Sequence, residues 1–193
     1  VGSWEAFSLR SLHPLLWLTW LAYWLISAAN NKTTVRRESL GQRWPYVLLI
    51  WLGMVLFIRP SIAPHLARHI WTPSFAMYGL GTALLVAGLL FTVWARVVLG
   101  RNWSGIVTVK QDHELIQSGP YRWVRHPIYT GLLVAFAGSA TAQDLWTSVL
   151  AVVLFFVSFW LKLLREEAWM RETFGDAYRD YCARTSRLIP GIL

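Results

Sequence analysis

The sequence predicts an all-α integral membrane bundle of about five transmembrane helices, with a sizeable polar loop and a C-terminal helix on the cytoplasmic side. Three observations lead there. Hydrophobic residues make up 55% of the 193 residues and charged ones only 15%, which is more apolar than an ordinary soluble domain of this size can bury. The apolar residues run together in blocks, several of them long enough to cross a hydrocarbon layer of ~30 Å. Finally, the 18 Lys and Arg residues collect on one side of the alternation those blocks create.

The blocks cover residues 14–29, 45–58, 73–99, 127–142 and 145–164, and the tail beyond them reads as one cytoplasmic helix over 165–184. Proline opens the first four (Pro14, Pro45, Pro73, Pro127). That suits the first turn of a helix, where the missing N–H had no partner to lose. The second block, at 14 residues, lies where a partial or interfacial helix competes with a full span. It is read as spanning, because Arg59 can snorkel and Pro60 can kink the continuation. The third block, at 27 residues, is long enough to tilt or to project from the bilayer. No repeat, low-complexity tract or linker divides the chain, so residues 1–193 are expected to form one domain.

Counting Lys and Arg on alternate sides sets the orientation. One side holds Lys32, Arg36, Arg37 and Arg43, then Arg96, Arg101, Lys110, Arg122 and Arg125, then Lys162, Arg165, Arg171, Arg179, Arg184 and Arg187. The other holds only Arg10, Arg59 and Arg68. The richer side is cytoplasmic by the positive-inside rule, and five spans bring the loop before the fourth block onto the same side as the tail. Tryptophans near block ends, such as Trp44, Trp71 and Trp146, fit interfacial belts and need no binding role.

Several function classes are set aside. The net charge of +8 comes without a basic run interleaved with aromatics outside the flanking loops, so no nucleic-acid partner is expected. The single cysteine, Cys182, cannot close an intramolecular disulfide, and no Cys/His cluster has zinc spacing. His65 and His69 are four apart but lack a third ligand nearby, so no metal is expected there. The glycine-rich run 79–88 lies inside an apolar block and follows no strand, which excludes a soluble dinucleotide-type site. The first residues lack a signal peptide's basic start and cleavage site. Because the chain begins at Val1, its native N-terminus is expected upstream.

Two polar stretches hold the chemistry. Residues 113–131 read H-E-L-I-Q-S-G-P-Y-R-W-V-R-H-P-I-Y-T-G. A turn at Gly119-Pro120 and a helix start at Pro127 crowd His113, Tyr121, Arg125, His126 and Tyr129 around the mouth of the fourth helix. The positive dipole end and unpaired N–H groups of that helix favour an anionic group there. Alone, Arg125 and His126 would read as interfacial anchors; the surrounding tyrosines and glycines favour a pocket. Along residues 162–190, most charges suit a solvated helix face with ion pairs worth about a few tenths of a kcal/mol. Lys162 and Glu166 differ, because they stand where the helix leaves the membrane. Phe174, Tyr178 and Tyr181 recur at helical spacing and suit packing of the tail.

Together these stretches resemble the isoprenylcysteine carboxyl methyltransferase and phospholipid methyltransferase superfamily. The shared pattern is H-x-L, G-x-Y and R-H-P-x-Y-x-G, then E-E, F-G-x-x-Y-x-x-Y and a terminal R-x-x-P. Here it falls on His113 and Leu115, Gly119 and Tyr121, Arg125-His126-Pro127 with Tyr129 and Gly131, Glu166-Glu167, Phe174-Gly175, Tyr178, Tyr181, Arg187 and Pro190. The match covers roughly the C-terminal half.

The resemblance implies a membrane enzyme that holds S-adenosyl-L-methionine between the loop and the C-terminal helix, with a lipophilic small-molecule or prenylated acceptor arriving from the lipid bilayer. It implies cofactor contacts from His113, Glu114, Leu115, Ile116, Gly119, Tyr121, Arg125, His126, Pro127, Tyr129, Glu166 and Tyr178. Catalytic or acceptor-handling roles fall to Lys162, Arg165 and Glu167. Lys162 stands where eukaryotic members have arginine, and it offers charge without a bidentate fork. On physical grounds the methionyl carboxylate suits the start of the fourth helix, the ribose hydroxyls suit Glu166, and the sulfonium suits the faces of Tyr121 or Tyr129. Adenine suits the side of Leu115 and Ile116. The expected reaction is methyl transfer to a lipophilic acceptor, first the carboxylate of an isoprenylcysteine-like substrate. Alternatives are N-methylation of a phospholipid headgroup, with His126 or Glu167 as base, and S-methylation of a small thiol. A sterol-reductase-like protein using NADPH would be a longer chain with more helices. A non-catalytic transporter or lipid-binding protein would need ionisable groups or broken helices in mid-membrane, and the blocks hold almost no ionisable residue.

Overall fold

A helix satisfies nearly all of its own N–H and C=O groups, which is what a chain in lipid requires. The computed structural model describes residues 3–29, 31–110 and 114–192. In it every apolar block is helical: α1 (Ser3–Ala28), α2 (Leu40–Ile58), α3 (Phe75–Leu99), α4 (Pro127–Gln143) and α5 (Trp146–Phe174), followed by the short α6 (Asp176–Arg184). Among the described residues, three helices are long and apolar enough to cross a membrane: α2, α3 with its extension to Asn102, and α5. The apolar part of α1, Leu12–Ala28, is shorter, and α4 has 17 residues. Leu18, Leu25, Trp51, Phe75, Leu90 and Val153 lie exposed, as side chains facing hydrocarbon would.

Several boundaries depart from the sequence reading. Only Pro127 opens its helix. Pro14 and Pro45 lie inside α1 and α2, each removing one intrahelical donor without ending the helix. The true start of α2 is a capping box: Ser39 accepts from Gln42 N, and the Gln42 side chain accepts from Ser39 N at 3.1 Å. Instead of one tail helix over 165–184, α5 continues unbroken to Phe174, and the break falls at Gly175, whose φ of 53° needs no Cβ. The bundle is also not purely helical. Two short strands, β1 (Thr34–Arg37) and β2 (Thr108–Lys110), pair antiparallel.

The tightest packing joins α3 to α4. A Cβ on Gly88 would lie 2.5 Å from Gly131 O and from Ala135 N, and one on Gly138 would lie 2.5 Å from Gly81 O and Leu85 N. The two helices therefore touch backbone to backbone in antiparallel register, with Gly81 opposite Gly138 and Gly88 opposite Gly131. The glycine-rich run of α3 is a packing seam. Gly53 plays a similar part between α2 and the Phe155 ring of α5, and Ser158 Oγ donates to Tyr46 O at 2.8 Å. In contrast, α1 reaches the bundle through large side chains. Trp17 Nε1 donates to Ser139 Oγ at 3.1 Å and Trp20 Nε1 to Thr92 Oγ1 at 2.7 Å.

Loop contacts sort the connections into two ends. At one, the β1–β2 pair joins the loops after α1 and α3. At the other, the buried Asp144 carboxylate accepts from Ile70 N (3.1 Å) and Trp71 N (3.0 Å) and lies 3.0 Å from His69 Nδ1. His69 is thus part of a clasp between the α2–α3 loop and the α4–α5 turn.

Candidate active site

The site begins with a clasp on the tail. Gly119, at φ 57°, opens a short 3-10 helix over Gly119–Arg122 with Pro120 in its second place, and Gly175 separates α6 from α5. Glu167, fully buried on α5, then receives three guanidinium groups. Arg125 Nε lies at 2.9 Å, Arg171 at 3.0 Å, and Arg187 Nε at 3.2 Å from each oxygen. Arg125 also donates to the carbonyls of Thr185 and Cys182. The backbone follows: Arg125 N donates to Ser186 O at 2.8 Å, His126 N to Arg187 O at 3.1 Å, and Thr130 Oγ1 to Leu188 O at 2.7 Å. Tyr181 donates its hydroxyl to Tyr121 O at 2.7 Å. Residues 121–130 and the tail therefore form one unit around a charge that is costly to bury unless paired.

Between this unit, α5 and the neighbouring ends of α1 and α3 lies a cavity of about 320 Å3. On α5, Glu166 Oε1 accepts from Tyr129 Oη at 2.7 Å, and Glu166 Oε2 lies 3.5 Å from His126 Nδ1. One turn earlier, Lys162 Nζ donates to Gly105 O at 2.8 Å, 3.9 Å from Glu166 and 5.4 Å from the Tyr129 ring centroid. Burial works against a charged His126. The flanking carboxylates of Glu166 and Glu167 outweigh it and hold its pKa above the ordinary histidine value. Burial, reinforced by Tyr181 and Glu166, pushes the Tyr121 phenol well above the usual tyrosine range, so it remains neutral.

Most of the expected cofactor residues come together on this wall: Glu114, Leu115, Ile116, Tyr121, Arg125, His126, Pro127, Tyr129, Glu166 and Tyr178 all line it. His113 lies outside the described residues. Gly119 does not line the cavity; its α-carbon packs against Val98, where a Cβ would meet Cγ2 at 2.9 Å. Of the three residues expected to act on the acceptor, only Lys162 lines the cavity. Arg165 turns instead toward Glu38, at 3.7 Å, and Glu167 is enclosed by its arginines.

Sequence reasoning missed other parts of the wall. Trp20 and Trp24 come from α1, Asn102 and Trp103 from the turn after α3, and Trp169 from α5. Trp103 and Trp169 had read as interfacial belts, and Trp20 and Trp24 as part of the first apolar block. Nothing local marks Asn102, whose position depends on a turn 3-10 in form. Glu38 was also passed over. It is buried, accepts from the Tyr46 hydroxyl and from Val107 N, and so ties the first loop to the cavity wall.

A helical membrane protein with a charged and aromatic-lined cavity at one end of its bundle is suited to bringing a polar reagent to a lipid-borne partner. Family comparison agrees: residues 76–177, just over half of the chain, match the phospholipid methyltransferase family model. The chain belongs to the phospholipid methyltransferase family. It is 24% identical over 175 residues to protein-S-isoprenylcysteine O-methyltransferase B of Arabidopsis thaliana, covering 87% of this chain and 85% of the relative. To the probable protein-S-isoprenylcysteine O-methyltransferase of Oryza sativa subsp. indica it is 26% identical over 176 residues, 88% of each chain. The solved eukaryotic intramembrane Ras methyltransferase, isoprenylcysteine carboxyl methyltransferase, shares the fold at a TM-score of 0.52 and 24% identity, over 80% of this chain and 54% of that one. The chain spans about half the length of that structure.

Proposed function

We propose that the chain transfers the methyl group of S-adenosyl-L-methionine to the carboxylate of an isoprenylcysteine-like lipid. All five of α1–α5 would span the bilayer, with the cavity at its cytoplasmic face. One observation carries the reading: Lys162 and Glu166, one helical turn apart on α5, both face the cavity where the apolar stretch of that helix ends. Two further points support it. The relatives named above are isoprenylcysteine O-methyltransferases. Positive charge also favours the cytoplasmic placement, because by sequence fifteen of the 18 Lys and Arg residues fall on the side of the alternation that carries the cavity-lining loop and the tail.

The residues fit the cofactor. His126 Nε2 is buried 3.5 Å from Glu167 and makes no well-formed hydrogen bond, at the start of a helix whose cap position lacks a side-chain cap. Glu166, Tyr129, Tyr121, Leu115 and Ile116 would hold the nucleotide. When bound, the cofactor would supply an electrophilic methyl group that a carboxylate accepts without proton transfer. The Lys162 ammonium has donors to spare after Gly105 O and would orient the acceptor carboxylate. Tyr129 and Phe159, stacked at 5.1 Å, would help exclude water. Glu167, saturated by arginines, is a poor base for an ammonium acceptor, which favours the carboxylate over an amine.

Labelled S-adenosyl-L-methionine incubated with the pure protein and, separately, a farnesylated cysteine, phosphatidylethanolamine or a small thiol tests this. Label is expected in the farnesylcysteine ester. Lys162→Met should lower kcat/KM at least tenfold, with recovery in Lys162→Arg. Label only in the phospholipid or the thiol removes the carboxylate reading.

A further inference from the structure

The segment between α3 and β2 entered none of the expected site residues, yet it supplies a buried polar group to the cavity. Asn102 lines the cavity and is 8% exposed. Its amide is used on one side only. Nδ2 donates to Glu114 Oε2 at 3.3 Å, whereas Oδ1 has no hydrogen-bond partner among the described residues. A buried carbonyl oxygen left unsatisfied is costly, and native structures rarely keep one without a reason. Thr108, further along the same wall, has a buried hydroxyl in the same condition. Two orphaned polar atoms on one wall point to a ligand rather than to a packing fault.

The chemistry around Asn102 selects the ligand group. Oδ1 can only accept, so its partner must donate. Leu99, Leu115 and Ile116 line the same cavity, and Glu114, which holds the other arm of Asn102, adjoins Leu115 in sequence. An apolar flank with a neutral acceptor suits the edge of a flat heteroaromatic ring.

Resting on the S-adenosyl-L-methionine reading above, we propose that Asn102 is a specificity-determining residue that accepts a hydrogen bond from the exocyclic amine of the adenine ring. A hypoxanthine ring, which carries a carbonyl in place of that amine, would set one acceptor against another and be rejected.

Calorimetry with S-adenosylhomocysteine and S-inosylhomocysteine tests the assignment without turnover. The wild-type protein should prefer the adenosyl compound by tenfold or more. Asn102→Ala and Asn102→Leu should bind the adenosyl compound about tenfold more weakly and the inosyl compound much as before, so that the preference disappears. Thermal melting without ligand identifies variants that remain folded. A preference that survives in a folded variant overturns the assignment. So does equal binding of both compounds by the wild-type protein, a result that needs no variant at all. Failure of the wild-type protein to bind either compound would overturn the cofactor reading itself, and is distinguishable from both.

Discussion

The α3–α4 seam and the polar clasp around Glu167 stabilise the same molecule by opposite means. The seam works by absence: Gly81, Gly88, Gly131 and Gly138 carry no side chain, so two backbones meet and dispersion acts at short range over their length. The clasp works by charge, with one buried carboxylate answering Arg125, Arg171 and Arg187. In lipid there is little hydrophobic gain from joining helices, so close fit must hold the apolar part together. Beyond the apolar stretches, loops and a tail far apart in sequence must be fixed in one arrangement, and directional ion pairs do that. The rigid scaffold is therefore apolar, and the cavity hangs from it on electrostatic ties.

Removing a tie from the clasp should have the largest effect. Glu167→Ala leaves three arginines facing a buried site and is expected to cost about 3–5 kcal/mol of stability. Release of the tail should follow, and proteolysis at the Arg184–Arg187 segment would report it; a tail that stays protected would show that the backbone pairing with residues 124–126 holds alone. The seam comes next. Gly88→Val must push the helices apart and should cost about 1–3 kcal/mol or more in detergent melting. Gly79→Ala, where a Cβ meets nothing within 4 Å, should be near neutral, and equal losses in the two variants would contradict a seam confined to one face.

A smaller effect concerns pH. The pKa of His126 is raised in the folded protein, so folding favours its protonated form. Its stabilising contribution is complete below the unfolded histidine value of about 6.5 and fades as the pH rises through the higher folded value. The melting temperature should thus decline with rising pH above about 6.5, and His126→Gln should flatten that decline. The smallest change is expected at the rim. Arg36 and Glu172, 2.7 Å apart but each more than half exposed, should contribute less than about 1 kcal/mol, as Arg36→Ala in moderate salt would show.

What could be read directly in the chain was local. The run from Glu114 to Tyr129 declared itself because a turn, a helix start and the polar groups around them follow one another within a few residues, and ten of the twelve expected cofactor residues do line one cavity. Where a residue's role depended on a distant partner, reading failed. Glu167 was expected to act on the acceptor, yet Arg125 and Arg187 close on it and make it the anchor of the tail. Pro14 and Pro45 suggested helix starts, yet the capping box of Ser39 with Gln42 sets the start of α2 five residues before Pro45. The strands β1 and β2 are too short to show a period of two in sequence and exist because each finds the other.

Apolar block length and the placement of Lys and Arg by themselves determined that this protein is a helical membrane protein with its chemistry gathered at one end, because solvent preference is a property of each segment alone. Only the tertiary structure decided that α1 lends Trp20 and Trp24 to the cavity, that Glu167 holds the tail while Glu166 faces inward, and that Asn102 presents a buried acceptor. Those outcomes depend on which side chains converge across long separations, and adjacent carboxylates on a helix point about 100° apart whatever their order in the chain.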